Sequence, residues 1–282
     1  MIELKPLLED ARGLEPLPQS ASGLAVQLLR EEWDIREVCD TVRLDQALTG
    51  RLLGAANSAL SGAREHVGTV EDALMRLGAG AVLGLALGSA VRKSYQTALP
   101  AYRLDEGDLW RHSVASALAV EEVKRFASRT IPPEAFASAL LHDVGKLVLA
   151  RHLTPEVLGH LQKLQGEEVF GARVERAVLA IDHAAIGALV ARSWGLPEAI
   201  ATGIEHHERP LGARSDAGRL LAFLVGLSDA VAVRCGAPCG GPEPAPDFSL
   251  LHAEGVGIGA PAFEELCKAV AERLEEVLHR YE

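Results

Sequence analysis

Histidine and aspartate side chains recur inside apolar stretches through the middle of this chain. The Ala, Leu and Val residues around them predict helices, and an unpaired ionisable group inside an apolar helix is costly. Imidazole and carboxylate groups together are the ligand set of hydrolytic divalent metal centres. If the helices converge, one or two metal ions lie at the centre of a helical bundle. The series is His112, His142, Asp143, His183, His206, His207 and Asp229.

The composition favours an all-α fold. Hydrophobic residues make up 48% of the 282 residues and aromatic residues only 4%. This balance, dominated by Ala, Leu and Val, suits closely packed helices better than a sandwich of aromatic and β-branched residues. No alternation of apolar and polar residues is strong enough to predict a sheet. The length is sufficient for one large domain or two lobes.

Short, capped helices are expected in the first third of the chain. Asp34 and Asp45 can each cap a helix, and Thr69 with Asp72 resembles a capping box. Gly78 separates the helix that this box opens from the uncharged run that follows. Longer helices are predicted over residues 109–127, 133–151, 155–165, 171–194, 197–207 and 216–233, and a last helix over 263–281 follows a Pro/Gly-rich loop at 236–261.

The charge and the apolar runs argue against two classes of partner. The net charge of −11 disfavours a basic surface for a nucleic-acid backbone, so no nucleic-acid partner is expected. The longest uncharged run, residues 77–91, is shorter than the roughly 20 apolar residues of a membrane span. Its four glycines predict a buried core helix with close backbone contacts, and no membrane partner is expected.

The opening residues and the cysteines predict a cytoplasmic protein. The first ten residues lack the basic and then apolar pattern of a secretory signal. Without such a signal, the four cysteines predict reduced thiols. Three residues separate Cys235 from Cys239, and a second pair is lacking, so a plain loop is favoured over a zinc clip.

The pair His142-Asp143 is the most informative member of the series. Apolar residues surround it on most sides of a predicted helix, which disfavours the alternative of a solvated polar stripe. Neighbours on a helix point about 100° apart, so both reach one ion only beside their shared edge. Gly145 removes a side chain there and lets another backbone or a substrate come close. Lys146 offers a cation for a phosphate oxygen.

Each remaining member of the series is a weak signal by itself. His112 and His183, each with small neighbours, are more often packed core histidines than metal ligands. His206 and His207 lie at the end of a predicted helix, where a histidine also interacts favourably with the negative end of the helix dipole. Asp229 lies inside an apolar helix and needs a cation nearby. Their joint occurrence, rather than any one of them, predicts a metal site.

The order of His112, His142-Asp143 and Asp229 resembles the signature of the HD superfamily of metal-dependent phosphohydrolases. Further stretches narrow the resemblance to the HDOD domain, the HD-related output domain of bacterial signalling proteins. They are residues 17–18, 44–49, 56–58, 73–78, 109–113, 140–147, 182–187, 194–197 and 204–207. The Asn-Ser at 57–58 and the Trp-Gly-Leu-Pro at 194–197 make the resemblance specific. It covers about residues 14 to 210.

The resemblance implies an all-α, two-lobed protein with a divalent-metal site. Residues 1–100 would form an N-terminal helical lobe, 101–235 an HD-like metal-binding lobe, and 236–282 the loop and the C-terminal helix. One or two ions of iron, manganese, zinc, magnesium or nickel would be held by the seven members of the series. Within it, His183, His206 and His207 match the extra histidines of the HD-GYP cyclic-di-GMP phosphodiesterases.

Three functions remain open. The favoured one is a regulatory module in bacterial signal transduction, whose partner is a signalling protein or a small phosphorylated ligand and which can form a homo-oligomer. The second is an active phosphohydrolase for nucleotides or cyclic dinucleotides, in which Asp143 and Lys146 are catalytic. Residues 208–212 replace the Gly-Tyr-Pro signature of HD-GYP proteins, which disfavours cyclic-di-GMP hydrolysis. The third is a metal-free helical scaffold, which would leave the carboxylates of Asp143 and Asp229 in apolar surroundings without a cation.

Overall fold

Helices account for all the regular structure that a computed structural model describes, over residues 4–58, 66–154, 157–158, 171–237, 239–240 and 246–279. Within these ranges there is no β-strand, only an isolated bridge between Leu99 and Leu104. The predicted all-α fold is therefore confirmed. The helices are α1 (Leu4–Arg12), α2 (Gln19–Leu28), α3 (Ile35–Arg43), α4 (Gln46–Ala56), α5 (Val70–Tyr95), α6 (Asp108–Val123), α7 (Glu134–Leu141), α8 (Val144–His152), α9 (Ala172–Leu179), α10 (His183–Ser193), α11 (Glu198–His206), α12 (Asp216–Arg234), α13 (Phe248–Ala253) and α14 (Ala260–His279).

The predicted caps begin the early helices. Asp34 accepts a hydrogen bond from Arg36 N at 2.8 Å, and Asp45 accepts one from Leu48 N at 2.9 Å. Thr69 Oγ1 accepts a hydrogen bond from Asp72 N at 3.0 Å. Each cap satisfies a backbone donor that has no partner within its helix. The starts of α3, α4 and α5 thus follow from local sequence.

Helix α5 contains the uncharged run, and one part of its surface is buried against other helices. By length and composition alone it could cross a membrane. It packs against α2, α3, α4, α6 and α7, which agrees with the core helix that the sequence predicts. Gly78 has a φ of +78° and kinks the helix where the sequence predicts a separation. A Cβ at Gly84 would lie 2.1 Å from Phe136, so the predicted close contact exists there.

Two of the predicted long helices are each divided in two. The helix predicted over 133–151 is α7 and α8, because Asp143 has a non-helical ψ of 5°. The helix predicted over 171–194 is α9 and α10, because Ala180 adopts a left-handed φ of +59°. Asp182 then caps α10 by accepting from Ala185 N at 2.8 Å. Only the second break has such a side-chain cap, since the Asp143 side chain bonds no backbone N–H of α8. Hydrophobic periodicity reveals neither break.

One predicted helix stays untested, and two predicted segments differ from the structure. The helix predicted over 155–165 lies almost entirely outside the described residues. The loop predicted over 236–261 contains the short helix α13, which begins because Asp247 accepts from the N–H groups of Ser249 and Leu250 at 3.1 Å each. The last helix begins at Ala260 rather than at residue 263. All four cysteines are free thiols.

The later helices form the frame that positions the site. Helix α10 packs on α8 and α11, and α12 packs on α6, α7 and α11. Helix α14 covers α6 from the outside. Helix α1 packs on α8 and α10, so contacts cross the boundary predicted at residue 100. The division into lobes stays a prediction.

Candidate metal centre

Six of the seven members of the predicted series meet at one buried place. They come from α6, the break between α7 and α8, the start of α10, the end of α11, and α12. Each has a relative exposure of 7% or less. The six are His112, His142, Asp143, His183, His207 and Asp229.

The first group of possible ligand atoms centres on His112. Its Nε2 atom lies 3.1 Å from Nε2 of His142 and 3.2 Å from Oδ1 of Asp229. It also lies 3.7 Å from Oδ2 of Asp143. One ligand atom from each of His112, His142 and Asp229 lies within 4.8 Å of the others, as the ligands of a single ion require.

The second group centres on His183 and includes Glu208, which the sequence analysis did not predict as part of the site. The Nε2 atom of His183 lies 3.4 Å from Nε2 of His207 and 3.3 Å from Oδ1 of Asp143. Oε1 of Glu208 lies 3.6 Å from the same nitrogen. The signal available in the sequence is the acidic residue directly after the histidine pair.

Asp143 stands between the two groups. Its Oδ2 atom faces the first group and lies 3.6 Å from Nε2 of His142, whereas its Oδ1 atom faces His183. Oδ1 of Asp143 and Oδ1 of Asp229 are buried, and each lies 3.2–3.3 Å from a histidine Nε2 atom. Among the described residues, neither oxygen has a hydrogen-bond donor in good geometry. A buried carboxylate oxygen without a donor is costly unless a cation satisfies it. These orphaned oxygens therefore fit a metal centre.

The ring orientations also fit metal ligation. Nδ1 of His112 lies 3.0 Å from the Ala237 carbonyl, and Nδ1 of His142 lies 2.7 Å from the Ala139 carbonyl. A carbonyl only accepts, so each Nδ1 carries the hydrogen and, in the neutral ring, Nε2 presents its lone pair. Burial lowers the pKa of His142 to about 3, so that ring is neutral near pH 7. Its lone pair points toward Nε2 of His112, into the space that a metal ion would share with both rings.

The carboxylates of the centre are ionised. Burial opposes ionisation, but Lys146 and the surrounding histidines hold the pKa of Asp143 well below its usual range. Against the same burial, His112 lowers the pKa of Asp229 to about 2. Both groups therefore carry negative charge at every pH near neutrality, which is the form that binds a cation.

Lys146 contacts Asp143 rather than an open space. Its Nζ donates to Oδ2 of Asp143 at 2.6 Å and to the Cys239 carbonyl at 2.7 Å. It is 4% exposed and lies 5.6 Å from the centre of the Tyr102 ring. The position predicted for a phosphate contact is thus one that orients a carboxylate of the centre.

His206 is the member of the series that does not join either group. Its ring lies beside Gly212, where a Cβ would be 3.2 Å from Nδ1. Adjacent residues at a helix end point in different directions, so only one of the pair faces inward. The sequence alone does not tell which one, and the structure places His207 there.

A buried acid behind His183 fixes the orientation of that ring. Oε2 of Glu175 accepts from the His183 backbone N–H at 2.6 Å and lies 2.8 Å from Nδ1 of the ring. The Tyr102 hydroxyl donates to the other carboxylate oxygen at 2.9 Å. Outer carboxylates of this kind set the tautomer of metal-binding histidines. Nothing in the sequence distinguishes Glu175 from a solvated glutamate of an amphipathic helix.

Glu175→Gln is expected to lower the pKa of His183. Burial lowers this pKa, but Glu175 outweighs it and raises the value to about 9. Without the carboxylate, burial dominates, and the ring should be neutral at pH 7. NMR titration of the metal-free protein checks this, with Glu205→Gln as a control outside the site. A His183 that still titrates near pH 9 in the variant contradicts the assignment.

A cavity of about 800 Å³ reaches the centre from one side. Asp229, His207 and Glu208 line it, and His206 lies at its wall. Apolar side chains, among them Phe223 and Leu227, form much of the remainder. Lys146 is not among the lining residues. Both ligand groups therefore have a member that a small molecule can approach.

The family model of the HDOD domain matches residues 14–210. This chain belongs to the HDOD family. Five of the six buried members of the series lie within the match, and Asp229 lies beyond it. In this HDOD chain the segment after residue 210 thus supplies part of the centre: the Asp229 carboxylate, and the carbonyls of Ala237 and Cys239 that hold His112 and Lys146.

Known proteins resemble this HDOD chain over most of its length. An uncharacterized protein of Treponema pallidum (strain Nichols) is 25% identical over 203 residues, which are 70% of this chain but 39% of that protein. A crystal structure of a candidate phosphohydrolase from Shewanella amazonensis SB2B is 25% identical, has a TM-score of 0.67, and is aligned over 98% of this chain and 96% of its own. A candidate signal transduction protein from Marinobacter aquaeolei VT8 is 23% identical, has a TM-score of 0.72, and is aligned over 97% of this chain and 60% of its own.

Proposed function

We propose that this HDOD protein binds two divalent metal ions and acts as a regulatory module in signal transduction. The observation that carries the proposal is the pair of buried ligand groups that meet at Asp143. His112, His142, Asp143 and Asp229 would hold the first ion. His183 and His207, with the second oxygen of Asp143, would hold the other.

The spacing of the donor atoms supports the proposal. Ligands 2.0–2.2 Å from a tetrahedral ion lie about 3.3–3.6 Å from one another. The measured separations around His112 are 3.1, 3.2 and 3.7 Å, and those from His183 to His207 and Asp143 are 3.4 and 3.3 Å. Mixed imidazole and carboxylate donors suit iron, manganese and zinc better than magnesium, which prefers oxygen. A bound ion would supply Lewis-acid chemistry toward a phosphoryl oxygen.

The choice of a regulatory role rests on the surroundings of the ions. Lys146 is engaged by Asp143 and a backbone carbonyl, so it does not offer its charge to a substrate from the cavity. The chain also lacks the Gly-Tyr-Pro sequence after His207. We propose a small phosphorylated molecule as the ligand that enters the cavity, with a signalling protein or a second copy of the chain as the downstream partner.

A phosphohydrolase is the second candidate, and the cavity favours it. Members of both ligand groups line that cavity, so a phosphate ester could reach either ion. The similar Shewanella protein also carries the name of a candidate phosphohydrolase. Release of product from a panel of nucleotides and cyclic dinucleotides separates the two functions. Turnover that is lost in Asp143→Ala supports the enzyme, whereas metal-loaded protein that turns over nothing supports the regulatory module.

Metal binding is expected to release a proton from His183. Burial opposes protonation, but Glu175 raises the pKa of His183 to about 9, so the metal-free ring is charged at pH 7. A ligating imidazole must lose its Nε2 proton. Affinity at the second position should therefore fall as the pH drops below about 9 and level off above it. Titration calorimetry with Mn²⁺ at pH 7, in buffers of different ionisation enthalpy, counts the protons; a heat independent of buffer contradicts the expectation.

A further inference from the structure

Glu208 occupies a position from which it can complete the second ligand group. Its Oε1 atom lies 3.6 Å from Nε2 of His183 and 3.9 Å from Nε2 of His207. Oδ1 of Asp143 lies 3.3 Å from the same His183 nitrogen. Two imidazoles and two carboxylates thus surround one space, with spacings close to those of the first group.

The ring of His207 is oriented so that its Nε2 atom faces Glu208. Nδ1 of His207 lies 2.7 Å from the Ile204 carbonyl, so it carries the ring hydrogen. In the neutral ring, Nε2 then presents a lone pair toward the carboxylate. The two groups face each other at 3.9 Å, and a positive charge between them interacts favourably with both. The His183 ring lies beside them in the metal-free protein, and a divalent ion in the same space would contact all three side chains.

Glu208 is also the exposed member of its group. Its side chain is 33% exposed, compared with 2% for His183 and 1% for Asp143. It lines the cavity together with His207, so it stands on the side from which a small molecule enters. The carboxylate therefore takes the coordination position that faces the cavity.

We infer that Glu208 is a ligand of the second metal position and that an oxyanion entering from the cavity must displace it. The inference rests on the proposed metal centre. A carboxylate and a phosphate are both hard anionic oxygen donors, so they compete for one position on a divalent ion. A phosphorylated ligand then binds the metal only if its affinity for that position exceeds the affinity of the Glu208 carboxylate.

Cobalt titration of the full chain tests the ligand role. The control variant is Glu205→Gln, at the end of α11, where Glu205 pairs with Arg192 outside the site. Metal-free wild type and this control should each take up two equivalents of Co²⁺ by native mass spectrometry. Glu208→Gln should bind the first equivalent unchanged and the second at least about tenfold more weakly, with an altered visible Co²⁺ band. An unchanged second affinity and band in Glu208→Gln overturns the inference.

The remaining outcomes separate this inference from the proposed function. Wild type that binds no Co²⁺ overturns both. Wild type that binds only one ion, lost in Asp229→Asn but kept in Glu208→Gln, overturns the second metal position and with it the role of Glu208. Two ions that bind equally well in wild type and in Glu208→Gln overturn only the role of Glu208. Inorganic phosphate titrated into the Co²⁺-saturated proteins tests displacement, because removal of the competing carboxylate should lower its Kd about tenfold in Glu208→Gln. An equal or higher Kd in the variant overturns displacement.

Discussion

Asp143→Asn is expected to abolish binding at both metal positions and to destabilise the metal-free protein. The two carboxylate oxygens face different ligand groups, so one substitution removes a charged ligand from each. Loss of a residue that only hydrogen-bonds a metal ligand weakens binding roughly 10–100-fold. Loss of Asp143, which would contact the metal itself, should weaken binding more than that. Titration with Mn²⁺, followed by equilibrium dialysis and elemental analysis, measures it. Retention of two tightly bound ions contradicts the role of Asp143.

The metal-free Asp143→Asn protein should be destabilised because Lys146 loses its ion-pair partner. That side chain is 5% exposed, and its ion pair with the 1% exposed Asp143 is fully inside the protein. Removal of one partner leaves a buried charge, which costs about 3–5 kcal/mol. Urea denaturation of the metal-free protein should show this loss in Asp143→Asn. In the double variant Asp143→Asn/Lys146→Met most of the loss should disappear; equal stability of the single and double variants contradicts the argument.

Gly145→Ala is expected to have the second large effect, on the packing beneath the site. A Cβ at this position would lie 2.0 Å from the carbonyl oxygen of His183 and 2.7 Å from the backbone nitrogen of Gly187. Backbone atoms of two packed helices cannot move aside as a flexible side chain can. The free energy of unfolding should fall by about 3 kcal/mol or more. Since His183 begins α10, the shift should also weaken metal binding at the second position.

Gly50→Ala is the matched control for this substitution. Gly50 lies within α4, and a Cβ there has no heavy atom within 4 Å. Alanine in a helix interior is favoured over glycine by roughly 0.5–1 kcal/mol, so this variant should be slightly more stable than wild type. Thermal and urea unfolding compare the two variants directly. A Gly145→Ala protein as stable as Gly50→Ala contradicts the close approach of α8 and α10.

The predicted features that depend on local chemistry agree with the structure. The caps at Asp34 and Asp45 follow from short-range hydrogen bonding, and the kink at Gly78 follows from the backbone freedom of glycine. The role of Gly145 was also predictable in part, because a glycine next to His142-Asp143 leaves room for another chain. What fills that room, the backbone at the start of α10, depends on tertiary packing and could not be predicted.

The missed features depend on direction and burial. The break at Asp143 lets two adjacent side chains face one site, whereas the continuous helix that periodicity predicts would point them about 100° apart. His207 rather than His206 faces the centre because of where α11 ends. Glu175 is an ordinary helix glutamate in sequence and becomes a partner of His183 only because α9 packs beside α10.

Anomalous diffraction from crystals of the full chain grown with Mn²⁺ tests the central claim most directly. Data collected at the manganese absorption edge should show two peaks about 3.5–4 Å apart, one on each side of Asp143. The first should touch His112, His142 and Asp229, and the second His183 and His207. No peak at Asp143 in crystals soaked in excess Mn²⁺, or peaks only at surface carboxylates, would contradict a metal centre in this protein.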